Sequence, residues 1–451
     1  MLAACLLTEL ALLPVGIDDL DEGYFVQQAL RILHGQVPYR DFESLYTPGL
    51  QYLHAAIFGA LGGPYLLAPR ALSLICRVAV AVLLYLLARP VVKQPIWAGL
   101  PGAVILLGFD PAPDLWEPHP GWPSTTLALL ATWCVAHSTT PRWLLGSGLA
   151  AGAAYAFKQN AGALILLALV LHLRRRALLP LLGFALVTVV WLVPLLAAIG
   201  GRLDLLGPFV GAINAAALFA GPEQTIAIPA ACVVAGLVSL HEPRVRWYLV
   251  AGTCLLGTQY PRADTLHLVW STPVLLVVGA AFLSRIRTEL ALAAVAVTML
   301  LCEPSFRSRI DAIRRGTTSV IGLPYANGLR TQAQTWSDVL NTVAEIQHRT
   351  QPGEPIFVYP TSPLLYVLSQ RPNATRFDHF NPGAATPTQI QATIDALEDA
   401  DVRVLAVSDY WRANWGPPRE NAVLEDWLFS RFRRVANFGA YSVFTRTEAD
   451  L

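Results

Sequence analysis

Charged residues are scarce in this sequence. They make up 14% of its 451 residues, whereas a typical soluble protein has about 25%. Hydrophobic residues make up 54%, and the mean hydropathy is +0.47. The shortage of charge excludes an ordinary soluble protein and predicts an integral membrane protein with several spanning helices.

An excess of charge of one sign is also missing, as are paired cysteines. The formal net charge is +1, which argues against bulk nucleic-acid binding. The six cysteines form no CxxC pair and lie in or at the ends of apolar segments. They therefore predict small membrane-buried side chains rather than a disulfide framework.

Apolar segments occupy the first two thirds of the chain, and many approach the roughly 20 residues that span a bilayer. We predict a membrane domain over residues 1–303 and a soluble domain over 304–451, where charged and amide side chains become frequent. The first segment is short, and we expect that its start is truncated or mis-assigned. The eleven predicted spans are 3–16, 71–88, 95–109, 122–137, 143–157, 160–173, 177–199, 225–240, 246–259, 268–284 and 287–302.

Basic residues between these spans predict the orientation, because basic loops stay in the cytoplasm. The basic loops all fall on one side if the apolar segment Gly49–Gly62 does not span. If it did span, Arg174–Arg176 would face outward. We therefore predict that Gly49–Gly62 and Glu22–His34 are juxtamembrane helices, which lie in the membrane plane. The protein is then a multi-pass protein of the inner (plasma) membrane with an extracytoplasmic C-terminal domain.

The first polar cluster follows the first predicted span and contains Asp18, Asp19, Asp21 and Glu22. Two interpretations stay open. These carboxylates are solvated loop residues that cap the next helix, or one of them is a general base or metal ligand held at the bilayer surface. On the second interpretation, Asp21 and Glu22 are the catalytic candidates.

Two further outer loops carry weaker signals. Asp41 lies in an aromatic, proline-punctuated loop and is a candidate substrate-binding residue. Glu117 and His119 lie in a proline-rich loop together with Asp110 and Asp114. Such a set would suit a divalent metal or a substrate, while the prolines equally suit a plain stiff loop.

Cations in two more outer loops are candidates for phosphate binding. Lys158 and Gln159 lie between two apolar helices, where a lysine grips a phosphate or merely extends toward the headgroups. Arg262, Asp264 and His267 lie within six positions of one another. Arg262 could bind a phosphate through two hydrogen bonds, with Asp264 as its acidic partner. Alternatively, Arg262 and Asp264 form a structural ion pair.

The order of these clusters resembles that in the GT-C superfamily of membrane glycosyltransferases. The likeness is greatest to its bacterial branch of protein O-mannosyltransferases and aminoarabinose transferases, and it covers most of the chain. The segments that carry it are Asp21-Glu22, Gly35–Phe42, Tyr46–Gly49, Phe157–Gly162, Pro261–His267 and Arg371–Asp378.

The resemblance implies an inverting glycosyltransferase that moves a hexose or pentose from a polyprenyl-phosphate carrier to an extracytoplasmic hydroxyl. The acceptor would be a lipid, a glycan or a protein. Asp21 corresponds to the family's general base. Lys158, Arg262 and His267 are the candidates for stabilising the phosphate leaving group. The sequence requires no cofactor, and whether a divalent metal takes part stays open.

The C-terminal region alternates predicted strands and helices, which indicates a small α/β domain. We expect this domain to cover the active site or to help select the acceptor. Two other functions stay open: a transporter or flippase of polyprenyl-linked sugars, and an inactive envelope scaffold. The sequence has no pseudo-repeated halves of the kind that many transporters show.

Overall fold

The computed structural model describes residues 2–108, 118–203, 227–259, 265–380, 385–415 and 422–447. Helices dominate as far as residue 315, and a four-stranded sheet domain follows, so the predicted helix bundle with a C-terminal α/β domain is confirmed. The helices of the first part are α1 (Leu2–Leu12), α2 (Asp21–Leu33), α3 (Gly49–Leu61), α4 (Leu67–Ala88), α5 (Pro95–Gly108), α6 (Gly121–His137), α7 (Pro141–Phe157), α8 (Gln159–Leu173), α9 (Leu178–Ala198), α10 (Ala227–Val238), α11 (Pro243–Leu256), α12 (Thr265–Ser271), α13 (Pro273–Leu283) and α14 (Thr288–Arg315).

Three helical segments of the described chain are long and apolar enough to cross a membrane: Leu67–Ala88, Gln159–Ala198 and Thr288–Arg315. The second contains α8 and α9, which are separated by a 3-10 turn over Arg174–Ala177. Arg174 has a positive φ of 52° there, which no α-helix accommodates. The apolar helices over Pro95–Leu107, Ala227–Val238 and Pro273–Leu283 are shorter. The total of eleven spans stays a prediction.

Two predicted segments have other bounds in the structure. The predicted span 268–284 is two helices, α12 and α13, which meet at Thr272 and Pro273. Proline lacks an amide hydrogen and is preferred in the first turn of a helix. The predicted segment 287–302 continues through Pro304 to Arg315 as α14, so the domain boundary predicted at residues 303/304 lies inside this helix.

Helices α7 and α9 approach each other closely through glycines. A Cβ added at Gly148 would lie 2.0 Å from the Pro180 carbonyl oxygen, and one at Gly183 would lie 2.5 Å from that of Leu145. Small residues allow such backbone contact between helices in lipid, where van der Waals packing replaces the hydrophobic effect as the driving force.

The C-terminal domain is built around a sheet with the strand order β3-β4-β6-β5. Strands β3 and β4 are parallel, and the β4–β6 and β6–β5 pairs are antiparallel. Short strands β1 and β2 pair separately. Its elements are β1 (Thr318–Ser319), β2 (Arg330–Thr331), α15 (Ala333–Arg349), β3 (Phe357–Tyr359), α16 (Leu364–Ser369), α17 (Pro387–Asp399), β4 (Val404–Ser408), α18 (Asp409–Trp415), α19 (Ala422–Arg431), β5 (Phe432–Phe438) and β6 (Tyr441–Arg446).

Both faces of this sheet are covered. Side chains alternate between the faces of a strand. In β4, Val404 and Ala406 pack into one apolar cluster, whereas Leu405 and Val407 pack into another. Helices α17 and α19 supply the second cluster with residues such as Leu397. The first cluster is shared with the amino-terminal half of the chain.

Helices α2 and α3 belong to the core of the C-terminal domain. Val26 and Ala29 of α2 and Phe58 of α3 lie in the same buried cluster as Leu365 and Ala406. The predicted juxtamembrane helices are thus present at Asp21–Leu33 and Gly49–Leu61. Their apolar faces are used for docking the C-terminal domain, and their position in the membrane plane stays a prediction.

Three of the loops that we predict to be cytoplasmic are joined to one another. Arg285 donates hydrogen bonds to the Val91 carbonyl at 3.0 Å and to the Glu242 carboxylate at 2.6 Å. The Lys93 amide donates to the Ser284 hydroxyl at 3.3 Å. Three loops of similar basic character are therefore tied together, away from the acidic segment that follows α1.

A buried ion pair fixes the segment between α1 and α2. Arg70 of α4 donates to both carboxylate oxygens of Glu22 at 2.6 Å, and both side chains are fully buried. The same guanidinium donates to the carbonyls of Leu13, Val15 and Gly16 at 3.1–3.3 Å. The planar fork of arginine suits this simultaneous binding of a carboxylate and several carbonyls.

A second buried charge cluster lies seven residues further along α4. Glu9 of α1 accepts from Arg309 of α14 at 2.5 Å and from Arg77 of α4 at 3.1 Å. The Arg77 guanidinium lies 4.4 Å from the Trp122 ring centroid of α6. Because unpaired buried charge is costly, this cluster fixes how α1, α4 and α14 pack.

We predict that Arg70→Leu destabilises the protein by roughly 3–5 kcal/mol, because it leaves the Glu22 carboxylate buried without its cation. The measurement is the thermal unfolding midpoint in detergent. Arg307→Leu is the matched control, because Arg307 is 74% exposed in its ion pair with Glu303. The double variant Arg70→Leu with Glu22→Gln should recover part of the loss. Equal midpoints for Arg70→Leu and Arg307→Leu would contradict this role of the ion pair.

Candidate functional site

The acidic segment begins with a cap on α2. The buried Asp18 carboxylate accepts hydrogen bonds from the amides of Leu20 at 3.0 Å, Asp21 at 3.1 Å and Glu22 at 3.1 Å. Burial and the neighbouring carboxylates raise the pKa of Asp18, although its bond to the Glu22 amide opposes them. Capping was one of the two interpretations of this segment, and it holds for Asp18.

Asp19 is bound by the C-terminal domain. Its carboxylate accepts from the Ser362 hydroxyl at 2.5 Å, from the Tyr441 hydroxyl at 2.6 Å and from the Trp411 indole at 3.3 Å. The preceding chain is also held there, because Gly16 and Arg330 share a backbone hydrogen bond of 2.8 Å. The acidic segment is therefore clamped between Arg70 on one side and the C-terminal domain on the other.

Asp21 is placed differently from its neighbours. Its side chain is partly exposed, and its carboxylate has no hydrogen bond or ion pair to any residue that the structure describes. Glu22, by contrast, is enclosed with Arg70, and burial raises its pKa although Arg70 opposes the rise. Of the two catalytic candidates, Asp21 presents an accessible carboxylate and Glu22 fixes the helix that carries it.

Trp270 of α12 is the centre of a second cluster. The His119 ring stacks on it at 4.1 Å between centroids with an interplanar angle of 5°. The Lys158 ammonium lies 4.4 Å from the Trp270 ring centroid, and the His267 ring packs against its edge at 5.3 Å. Three predicted substrate-binding residues, far apart in sequence, are thus brought together around one indole.

His119 has a defined orientation. Its Nδ1 accepts from the Gly121 amide at 2.9 Å, and its Nε2 lies 3.1 Å from the Tyr46 hydroxyl. Because Nδ1 accepts a hydrogen bond, it carries no proton, and the proton of the neutral ring is therefore on Nε2. Gly121 is required here, because a Cβ at this position would lie 2.3 Å from the Trp270 ring.

Lys158 lies at the junction of α7 and α8, with φ −146° and ψ 110°. The loop before α3 packs on this junction. Thr47 donates to the Tyr155 carbonyl at 2.8 Å, and Gln159 donates to the Leu45 carbonyl at 3.1 Å. The Gln159 Oε1 and Asn160 Oδ1 atoms are buried and have no hydrogen-bond partner in the described chain. These two acceptors belong to the residues that directly follow Lys158 in sequence.

Helix α2 connects the two clusters. Phe25 packs edge-on against the His119 ring at 5.5 Å and contacts the Tyr46 ring at 5.6 Å. Asp21 lies four residues before Phe25, and residues at this spacing share one face of a helix. The accessible carboxylate and the Trp270 cluster therefore lie along the same helix.

The remaining predicted site residues lie elsewhere or are not described. Asp41 accepts from Arg40 at 2.8 Å and from the Val37 amide at 2.7 Å. Its hydrogen bond with Arg40 lowers the pKa of Asp41, and no described contact joins it to the Trp270 cluster. Glu117, Arg262 and Asp264 lie outside the described residues.

The segment Arg371–Asp378 holds the C-terminal domain on α2. The Asp378 carboxylate pairs with Arg31 at 2.9 Å, and both side chains are buried. Arg31 also donates to the Thr375 carbonyl at 2.9 Å, and Arg376 donates to the Tyr39 carbonyl at 2.7 Å. This motif therefore orders α2 and the loop that follows it.

Glu43 was not predicted as a site residue. Burial raises its pKa to about 7, while Arg376 and the hydrogen bond from Gln389 oppose that rise.

The described residues contain no group of three or more His, Cys, Asp or Glu side chains arranged to hold a metal ion.

Several solved structures have the same fold. ArnT from Cupriavidus metallidurans bound to undecaprenyl phosphate aligns at a TM-score of 0.66 and 12% identity, over 99% of this chain and 97% of that one. AglB, the oligosaccharyltransferase of Archaeoglobus fulgidus, aligns at 0.55 and 11%, over 100% and 74%. The arabinofuranosyltransferase AftD from Mycobacteria aligns at 0.52 and 16%, over 98% and 41%.

No protein-family model and no curated protein matches the sequence. At these identities the structural likeness concerns the fold. The chain has the fold of the GT-C glycosyltransferases, as the order of its motifs predicted.

Proposed function

We propose that this protein is an inverting membrane glycosyltransferase that transfers a hexose or pentose from a polyprenyl-phosphate carrier to an extracytoplasmic hydroxyl. The observation that carries the proposal is the pairing of two features along α2. Lys158, His119 and His267 meet around Trp270. Asp21 presents an accessible carboxylate one helical turn before Phe25, which packs against His119. A cation with neighbouring hydrogen-bonding side chains and an accessible base are the groups that transfer from a lipid phosphate needs.

Similar structures support the choice of donor. ArnT with this fold was solved bound to undecaprenyl phosphate, and AglB was solved with dolichol-phosphate and an inhibitory peptide. Both ligands are isoprenoid lipid phosphates. The same class of carrier would place its phosphate against the Lys158 ammonium, with the Gln159 and Asn160 acceptors available to sugar hydroxyls.

The proposed reaction is a single displacement. Asp21 takes the proton of the acceptor hydroxyl while the oxygen attacks the anomeric carbon on the side opposite the phosphate. The bond from that carbon to the phosphate oxygen breaks, and the polyprenyl phosphate leaves with both bonding electrons. Lys158 offsets the negative charge that develops on it. Glu22 is a positioning residue, since its ion pair with Arg70 holds the first turn of α2, which carries Asp21.

We further propose that the site and the C-terminal domain lie outside the cytoplasm, at the inner (plasma) membrane. The basic loops joined by Arg285 would then face the cytoplasm, as the distribution of basic residues predicts. Acceptors would be lipids, glycans or proteins on the outer side.

Cysteine labelling tests this topology. An impermeant maleimide applied to intact cells should label Asp395→Cys, on the exposed face of α17, and should label Arg175→Cys only after the membrane is opened. The wild-type chain is the background control, because five of its six cysteines are buried and Cys254 is partly buried. Labelling of Arg175→Cys from outside would overturn the orientation.

The donor site is tested by Lys158→Ala. Loss of a charge-assisted phosphate contact should weaken binding by roughly 1.5–3 kcal/mol, which is about 10- to 150-fold in affinity. The measurement is the dissociation constant of undecaprenyl phosphate in detergent or nanodiscs. Lys93→Ala is the matched control, because Lys93 is the other lysine of the chain and is exposed at the opposite end of the bundle. Equal affinity in the two variants would remove Lys158 from the phosphate site.

The base is tested by Asp21→Asn, which keeps the size of the side chain and removes its basicity. Turnover should fall about 10²–10⁴-fold while undecaprenyl phosphate binding is retained. The assay is release of polyprenyl phosphate from a defined donor with total envelope extract as acceptor. Asp426→Asn, on the exposed face of α19, is the control. Glu22→Gln should slow turnover less than Asp21→Asn and lower the unfolding midpoint. Near-normal turnover by Asp21→Asn would exclude it as the base.

A further inference from the structure

His379 brings a titratable side chain of the C-terminal domain to the start of α2. Its ring packs edge-on against the Tyr24 ring, with 4.8 Å between centroids and an interplanar angle of 73°. Tyr24 lies three residues after Asp21, so both side chains point to one face of the helix, roughly 5–6 Å apart at Cβ. The imidazole therefore lies beside the candidate base, although the two residues belong to different domains.

The backbone on both sides of His379 is fixed. Asp378 is held in its buried ion pair with Arg31, and the Phe380 amide donates to the Pro360 carbonyl at 2.7 Å. Tyr24 is held as well, because its hydroxyl accepts from the Leu45 amide at 3.2 Å. The contact between the two rings is thus set by the docking of the domain.

The ring nitrogens of His379 form no hydrogen bond to any residue that the structure describes. Burial lowers the pKa of His379, and the charges of Asp378 and Asp21 oppose this. The charged or titratable groups facing the ring are thus Asp21, Asp378 and Tyr24. A neutral imidazole carries one donor and one acceptor, which suits a hydroxyl group but gives no charge to attract a phosphate.

We propose that His379 is an acceptor-binding residue, which hydrogen-bonds the incoming hydroxyl compound and orients it toward Asp21. This inference rests on the proposed transferase function and deepens it. It assigns the acceptor side of the site to the junction of α2 with the C-terminal domain, and the donor side to the Trp270 cluster. Phe25, with His119 on one side and Tyr24 at 5.2 Å on the other, separates the two.

A titration tests the proximity without any assay of activity. Full-length protein with ring-labelled histidine is studied by NMR in nanodiscs, and the His379 signal is identified by its loss in His379→Gln. In Asp21→Asn the pKa of His379 should fall, because the negative charge that favours the imidazolium is gone. Asp426→Asn should leave it unchanged. An unchanged pKa of His379 in Asp21→Asn would overturn the juxtaposition, and with it the proposal.

Kinetics test the role in acceptor binding. In the polyprenyl phosphate release assay, His379→Ala should raise the half-saturating amount of envelope extract roughly three- to tenfold, as expected for one lost hydrogen bond. The KM for donor and the affinity for undecaprenyl phosphate should stay constant. His379→Gln should recover part of the loss, because an amide also donates and accepts, and His379→Phe should not.

The outcomes separate the two proposals. No release of polyprenyl phosphate by the wild type would overturn the transferase function and the acceptor role together. Normal release by the wild type, with unchanged half-saturation in His379→Ala, would overturn the acceptor role alone. A rise in the KM for donor in His379→Ala would place the residue on the donor side and would also contradict the proposal.

Discussion

The ion pair between Arg70 and Glu22 is the constraint on which the candidate site depends. Removing two charges from water costs free energy that an ion pair recovers only when its geometry is nearly ideal. Here one guanidinium donates hydrogen bonds to a carboxylate and to three carbonyls. The chain between α1 and α2 therefore has little freedom. With Glu22 and Asp18 both consumed in holding the helix start, Asp21 is left as the accessible carboxylate of that turn.

The Trp270 cluster depends on close backbone approach rather than on charge. Gly121 allows α6 to contact the indole directly, and this contact sets the position at which His119 stacks. The loop from Leu45 to Thr47 then binds the α7–α8 junction and places the Tyr46 hydroxyl against His119. A rigid arrangement of this kind suits the stabilisation of a developing charge, because no reorganisation is needed as the charge appears.

The C-terminal domain packs directly on the elements that carry the candidate site. It shares an apolar cluster with α2 and α3, binds Asp19 and pairs Asp378 with Arg31. Each of these contacts ends on the acidic segment before α2, on α2 itself or on α3. Separating the domain from the bundle would therefore expose apolar surface and leave buried charges unpaired, so the two halves are expected to act as one unit.

Composition and apolar periodicity were sufficient to predict the helix bundle, the α/β domain and the candidate helices α2 and α3, since all of these depend on local patterns. Motif order predicted the fold, and the polar clusters of the outer loops included Asp21, His119, Lys158 and His267. Several features had no local signal: the importance of Trp270, the burial of Glu22 and the position of His379. Each is set by a partner remote in sequence, such as Arg70 for Glu22 and Tyr24 for His379. Which carboxylate is buried and which stays accessible depends on those long-range contacts, so only the tertiary structure decided it.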